Sequence, residues 1–123
     1  MKQTERKFDR EERTAKFGEN IIALCKRVKH TNITEPIVNQ LVRSGTSVGA
    51  NYMEANGASS KRDFTNKIFI CKKESQESKH WLRMLASCGL EEIKDDIRTL
   101  WKEAQELTLI FQKITTSARS SSV

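Results

Sequence analysis

The sequence predicts an all-α protein, an antiparallel up-down-up-down four-helix bundle, and three observations support this fold class. Apolar residues recur at alternating steps of three and four along most of the chain, which is the period of one helix face. One proline and five glycines leave too little turn material for a β-sandwich or barrel. A chain of 123 residues fits one hydrophobic core, so we expect a single bundle over residues 9–114, between a flexible lead (1–8) and a Ser-rich tail (115–123).

The first two helices are predicted from their apolar stripes and their end signals. The first covers about residues 9–29 and is followed by a loop over 30–33. Thr34 is the expected N-cap of the second helix, Pro36 lies in its first turn, and Gly57 marks its end. The inward stripe of the first helix is Thr14, Phe17, Ile21, Leu24 and Val28. That of the second is Leu41, Gly45, Val48, Tyr52 and Ala55, beside a small and polar stripe of Gln40, Ser44, Ser47, Asn51 and Glu54.

The third and fourth helices follow after short loops. Ser60-x-x-Asp63 resembles a capping box and predicts the start of the third helix, which is expected to end at Gly89. Its inward stripe is Phe64, Ile68, Cys71, Ser75, Ser78, Leu82 and Leu85, beside a second stripe of Lys67, Ile70, Glu74, Glu77, Trp81, Met84 and Cys88. The fourth helix keeps the same steps from Ile93 to Ile114, with acids in its first turns where the helix dipole favours them. Short connections between long helices predict antiparallel neighbours.

Apolar runs and cysteines exclude several classes of protein. The longest uninterrupted apolar run, Ile21–Cys25, has five residues, which is too short for a transmembrane helix or a signal peptide. The three cysteines are odd in number, widely spaced and form no C-x-x-C. We therefore expect free thiols, no zinc cluster, no cofactor, no membrane partner and a cytoplasmic location.

The net charge of +6 is concentrated in the middle of the chain, where residues 61–90 carry seven basic and three acidic side chains. Basic helix faces with an exposed aromatic residue suit phosphate backbones, so RNA or DNA is a candidate partner. The alternative is a structural or protein-partner scaffold whose charges serve only solubility and subunit contacts. The candidate nucleic-acid residues are Lys26, Arg27, Arg62, Lys72, Lys73, Lys79 and Arg83.

Three carboxylates, Glu54, Glu74 and Glu77, occupy predicted inward positions and therefore need partners. Local candidates are Arg43, Lys67, Asn51, Ser47 and the indole N–H of Trp81. The pattern predicts a polar network between the second and third helices. Two interpretations stay open: a structural network that fixes helix register or a subunit contact, and a binding site for a ligand.

Two short motifs bear on an enzyme hypothesis. Glu77-x-x-His80 matches one element of a carboxylate-bridged di-iron bundle, but such a site needs a second Glu-x-x-His element on another helix. The other histidine, His30, has Arg27 three residues before it where that element requires glutamate. Gly45-Thr-Ser47-Val-Gly49 matches the nucleophile elbow, which requires a strand before its serine, and no strand is predicted here. A metal enzyme remains a remote alternative. Gly45 and Gly49 instead predict the close approach of another helix.

Two stretches carry a family resemblance: QLVRSGTSVGANYMEANGASSKRDF from Gln40 and KKESQESKHWLRML from Lys72. They resemble the four-helix-bundle family first noticed as open reading frames in 23S ribosomal RNA intervening sequences. That family is similar to the accessory protein of diversity-generating retroelements. The resemblance covers about residues 8–114, and its most specific part is the pattern formed by Arg43, Ser44, Ser47, Asn51 and Glu54.

The resemblance implies a non-catalytic bundle that assembles into a homopentamer and has a nucleic-acid or ribosome-associated role. Other matching positions are Gly57, Ser60, Asp63, Phe64 and Glu77. The chain departs from the family at three positions: Ala55 follows the motif glutamate where glycine is common, Ala58 replaces a basic residue, and Glu74 stands where many members have serine. The missing basic residue at Ala58 argues against a phosphate contact by the loop after the second helix.

Overall fold

The computed structural model describes residues 3–121, with side chains from 9 to 118, and this part of the chain forms four α-helices and no strand. The helices are α1 (Gln3–Cys25), α2 (Thr34–Asn56), α3 (Lys61–Ala86) and α4 (Lys94–Ser121), with a short 3-10 helix (Glu91–Ile93) before α4. The predicted all-α four-helix class is therefore confirmed.

Packing follows the order of the chain. α1 packs on α2, α2 on α3 and α3 on α4, whereas the contact that closes the bundle between α1 and α4 is much less extensive. This is the arrangement of an up-down-up-down bundle, in which α1 and α3 lie diagonally opposite. The outward sides of the α1–α2 pair and of the α3–α4 pair consequently face opposite directions.

The predicted inward stripes form the core. All five stripe residues predicted for the first helix are buried, although Val28 lies just after the end of α1, and so are all five of α2. Ile68, Cys71, Leu82 and Leu85 of α3 are buried as well. From α4 the core receives a run of buried side chains that begins just before the helix, namely Ile93, Ile97, Leu100, Ala104, Leu107 and Phe111. Phe64 and Ile114, at the stripe ends, are half-buried. Periodicity located this core correctly because each helix buries one face.

The two glycines of α2 permit the close approach of α1. A Cβ atom on Gly45 would lie 2.9 Å from the Ile21 side chain, and one on Gly49 would lie 3.3 Å from the Thr14 carbonyl oxygen. The G-x-S-x-G motif lies wholly inside α2, with no strand before it. Helix packing within the chain accounts for both glycines, as the small-residue hypothesis predicted.

Helix boundaries differ from the prediction at three places. α1 ends at Cys25 rather than near residue 29, and residues 26–33 form turns. α1 begins at Gln3 rather than near residue 9, and α4 continues to Ser121, beyond the predicted boundary at residue 114. Flexibility of the lead and tail stays a prediction, and residues 1–2 and 122–123 lie outside the described part of the chain.

The predicted N-cap at Thr34 is wrong, because Thr34 is the first residue of α2 itself. Thr31 supplies the capping oxygen instead: its hydroxyl accepts the Thr34 N–H at 3.0 Å. The Thr34 hydroxyl closes the loop by accepting the Thr31 N–H at 2.9 Å and donating to the Lys29 carbonyl at 2.7 Å. A sequence pattern could not choose between two threonines three residues apart.

The end signals at Ser60 and Gly57 are confirmed, whereas α3 ends three residues before the predicted end at Gly89. Ser60 caps α3 by accepting the Asp63 N–H at 3.0 Å, and Gly57 follows α2 directly. α3 ends at Ala86, and Gly89, with a φ of 72°, then turns the chain toward α4.

The cysteines are free thiols, as predicted. Burial raises the pKa of Cys25 to about 11 and that of Cys71 to about 12, whereas Cys88 is half-buried. Within residues 3–121, no helix is long and apolar enough to cross a membrane.

Candidate nucleic-acid interface

The outward side of α3 and the adjoining side of α4 form a basic surface, which we call the α3–α4 face. It consists of Arg62, Lys72, Lys73, Lys79 and Arg83 of α3 with Lys94, Arg98, Trp101 and Lys102 of α4. Arg62, Lys73 and Arg83 recur at about three-turn intervals along α3 and are exposed. None of these three pairs with a carboxylate of the described side chains, so their charges stay uncompensated.

Lys72 and Lys79 lie at the boundary between α3 and α4, and both contact neutral groups. The Lys72 ammonium donates to the Gln112 side-chain oxygen at 2.6 Å and lies 5.8 Å from the centre of the Phe69 ring. Lys79 donates to the side-chain oxygen of Gln105 and lies 4.9 Å from the centre of the Trp101 ring. Amides and aromatic rings hold these cations in place without cancelling their charge.

Three acidic residues of α4, Asp96, Glu103 and Glu106, pair with arginines on the opposite side, toward α1. Arg13 of α1 donates to Glu103 and Glu106, each at 2.8 Å, and Arg27 donates to Asp96 at 2.5 Å. The hydrogen bond to Glu103 is the main reason that the pKa of Arg13 is raised, although burial opposes it. α4 thus carries three paired acids toward α1, whereas Asp95 lies 3.9 Å from Arg98 on the side of the cations.

The candidate nucleic-acid residues therefore do not form one surface. Lys26 and Arg27 lie in the turn that directly follows α1, and α1 lies diagonally opposite α3. Arg27 is also engaged with Asp96, while Lys26 is exposed. The prediction named them with the α3 residues because both helices carry basic side chains. The structure brings together only the five candidates on α3.

Sequence reasoning missed the contribution of α4. Lys94, Arg98 and Trp101 follow one another at steps of four and three, which places them on the flank that meets α3. With Arg83 they surround a pocket of about 430 Å³. The spacing was visible in the sequence, but the acids at positions 91, 92, 95 and 96 hid it by making the segment net negative.

A second polar cluster lies between α2 and α3, where a network was predicted. Arg43 donates to Glu74 at 2.9 Å and also to Glu77, and the Trp81 indole N–H donates to Glu77 at 3.1 Å. Glu74 is 8% exposed, whereas Arg43 is about half-exposed. One guanidinium thus compensates two carboxylates at the surface of the α2–α3 contact.

Other members of the predicted network lie apart from these carboxylates. Ser47 and Asn51 bond to backbone carbonyls within α2, at 2.6 Å and 2.8 Å. The expectation that Glu54 faces inward is wrong: its side chain is 57% exposed and pairs with Lys67 at 3.1 Å. Ser44 is buried and accepts a hydrogen bond from Ser78 at 3.0 Å, which joins α2 to α3 below the charged cluster.

The residues of the di-iron hypothesis do not converge. His80 is exposed and lies edge-on to Trp81, with ring centres 4.8 Å apart, while Glu77 is engaged by Arg43. Among the described side chains, no three His, Cys, Asp or Glu residues are placed to hold a metal ion together. Stoichiometric iron, manganese or zinc in the purified protein would be needed to revive that hypothesis.

Comparison with known proteins identifies a family and a structural relative. The family model for the 23S rRNA-intervening sequence protein matches residues 6–113. The chain is similar to the crystal structure of a protein with unknown function from the S23 ribosomal protein family of Bacteroides thetaiotaomicron. The two share 29% sequence identity over 86% of this chain and 94% of the other, with a TM-score of 0.75. No curated protein matches the sequence. Since the family model spans most of the helical bundle, the protein belongs to the 23S rRNA-intervening sequence protein family.

Proposed function

We propose that the protein is a non-catalytic homo-oligomer that binds RNA or DNA through the α3–α4 face. The observation that carries this proposal is the set of cations on that face that pair with no carboxylate of the described residues, namely Arg62, Lys72, Lys73, Lys79, Arg83 and Lys102. Such cations displace the counterions that are condensed on a nucleic-acid backbone, and release of those ions drives binding.

The dimensions of the face suit a nucleic-acid backbone. Arg62 and Arg83 are 21 positions apart in α3, which corresponds to about 32 Å at the rise of an α-helix. That distance equals roughly nine base pairs of duplex at 3.4 Å per step. A straight row of cations of this length contacts several phosphates at once, which single surface lysines cannot do.

The opposite side of the bundle supports self-association. Ile22 of α1 and Met53 of α2 are 42% and 58% exposed, and they flank a groove of about 290 Å³. Small residues line it, among them Ala15, Gly18 and Ala50, and Glu11 and Glu19 lie at the same groove. Exposed apolar side chains around a small-residue groove are typical of helix contacts between subunits. We propose that this groove is one side of the subunit contact, and the family resemblance favours a pentamer.

The assembly is tested by light scattering on the native chain and on two matched variants. A pentamer of 14.1 kDa chains has a mass of about 70 kDa. Met53→Glu should lower the mass, because it puts a charge into the proposed contact. Leu109→Glu on α4 is the control, since Leu109 is 57% exposed, like Met53. A native monomer, or equal behaviour of the two variants, would remove the proposed contact.

Nucleic-acid binding is tested by fluorescence anisotropy with labelled 20-nucleotide RNA and DNA across a salt series. Lys73→Glu with Arg83→Glu should weaken binding at least about tenfold at 100 mM salt and flatten the salt dependence. Lys26→Glu with Lys29→Glu makes the same change of charge on the α1 side and should change affinity by less than about threefold.

Two results would contradict the nucleic-acid proposal. No binding by the native protein at low salt would sink it. Equal losses in the two double variants would show that net charge, and not the α3–α4 face, governs binding.

A protein-partner scaffold is the second candidate, and one feature favours it. Ile33, Ile37, Met84 and Leu90 line an apolar pocket of about 600 Å³ at the bundle end where α1 joins α2. Ile33 is 68% exposed there. Such a pocket suits an apolar side chain of another protein. This candidate becomes the leading one if the native protein binds no nucleic acid at low salt.

A further inference from the structure

The pocket on the α3–α4 face has an apolar floor inside a basic rim. Leu82 and Ala86 of α3 and Ile97 and Trp101 of α4 contribute the floor. Arg83, Lys94, Arg98 and Lys102 contribute the rim, and no acidic residue lines the pocket. Its volume of about 430 Å³ lies within the range of small-molecule sites. An occupant must therefore combine an apolar surface with negative charge.

Trp101 is the distinctive residue of this pocket. Its side chain is 37% exposed, although tryptophan is among the largest apolar side chains. Lys79 lies over the ring but does not line the pocket, so an occupant would meet indole surface that Lys79 leaves uncovered. The other tryptophan differs, because the Trp81 N–H is already bonded to Glu77.

The rim cations are available to a ligand. Arg83 and Lys102 pair with no carboxylate of the described residues. Lys94 contacts Glu91 at 3.2 Å and Arg98 contacts Asp95 at 3.9 Å, both between strongly exposed side chains. Exposed pairs of this kind contribute little, so a phosphate can displace them.

From this combination we infer that the pocket holds an unpaired nucleobase against Trp101 while the rim binds the flanking phosphates. This inference rests on the proposed nucleic-acid function and specifies its ligand as single-stranded. A base is planar and apolar on its faces, and its backbone carries the negative charge that the rim requires. A base-paired duplex keeps its bases stacked inside and can use only the rim. The α3–α4 face therefore prefers a single strand to a duplex of the same length.

The test compares Trp101→Leu and Trp101→Phe with the native protein, using 12-nucleotide single-stranded RNA and DNA of one sequence and the matching DNA duplex. Loss of stacking in Trp101→Leu should weaken single-strand binding about 5- to 50-fold. Duplex binding should change by less than about twofold, because the rim is intact. Trp101→Phe should retain most of the single-strand affinity. Comparison of the RNA and DNA arms shows whether the ribose hydroxyl contributes.

A second measurement does not depend on variants. Single strands that carry 5-iodouracil are irradiated with the native protein, and the cross-linked residue is located by mass spectrometry. We expect the adduct on Trp101. Cross-links confined to other residues, or equal losses of single-strand and duplex affinity in Trp101→Leu, would overturn the inference while the proposed function stands. Absence of any salt-dependent binding by the native protein would overturn both.

Discussion

The two sides of α3 carry charge in opposite ways. On the side toward α2, Glu74 and Glu77 are both engaged by Arg43, which reaches across the helix contact. On the side toward α4, Lys72 and Lys79 contact glutamine amides and aromatic rings, and no carboxylate approaches either ammonium group within the described residues. The charges on the α2 side of α3 are neutralised by a partner of opposite sign, whereas the cations on the α4 side keep their charge.

The contact between α1 and α4 repeats the compensated pattern. Arg13 binds Glu103 and Glu106, so these two acids of α4 are paired across the helix contact. The net charge of +6 is therefore a poor guide to the binding surface. What matters is where arginines meet acids across a helix contact, because the remaining cations define the electropositive face.

The largest loss of stability should come from removing the arginine that neutralises the acids on the α2 side of α3. Arg43→Ala leaves Glu74 buried beside Glu77 with no cation, and we expect a loss of about 2 kcal/mol in the free energy of unfolding. Arg43→Lys keeps the charge but loses the two-pronged hydrogen bond, so its loss should be smaller. Both losses are measured by urea unfolding at low protein concentration, with circular dichroism as the signal.

Lys79→Gln is the matched change on the uncompensated side. It removes a cation that neutralises no acid, so we expect a change below about 0.5 kcal/mol in the same measurement. A loss as large as that of Arg43→Ala would mean that Lys79 holds α3 to α4 and that the two sides do not differ. An unchanged stability in Arg43→Ala would mean that water already compensates Glu74.

Much of the fold could be predicted from the sequence, because it depends on local signals. The stripes of α1 and α2 gave the core, and Ser60 and Gly57 marked helix ends. Each signal lies within one helix or one turn, where periodicity and capping chemistry are decisive. The family assignment rested on the same regions and is confirmed by the match over residues 6–113, whereas the link to retroelement proteins stays a prediction.

The site could be predicted only in part, since it depends on contacts between helices. The sequence named Arg43 as a candidate partner for Glu54, Glu74 and Glu77 because predicted inward carboxylates need a cation nearby. It could not show that Glu54 faces solvent, that Arg27 is bound to Asp96, or that Trp101 lies beside Lys79. Those facts depend on the rotation of each helix about its axis, and a shift of one residue changes the exposed face by about 100°.

The most direct test of the central claim is lysine footprinting in the presence of nucleic acid. The native protein is acetylated with and without a saturating single-stranded oligonucleotide at low salt, and each lysine is quantified by mass spectrometry. Lys73 and Lys102 lie on the α3–α4 face, while Lys26 and Lys29 lie in the turns that follow α1, and all four are exposed. We expect acetylation of Lys73 and Lys102 to fall severalfold and that of Lys26 and Lys29 to stay constant. Protection of Lys26 and Lys29 with no change at Lys73 and Lys102 would contradict the account.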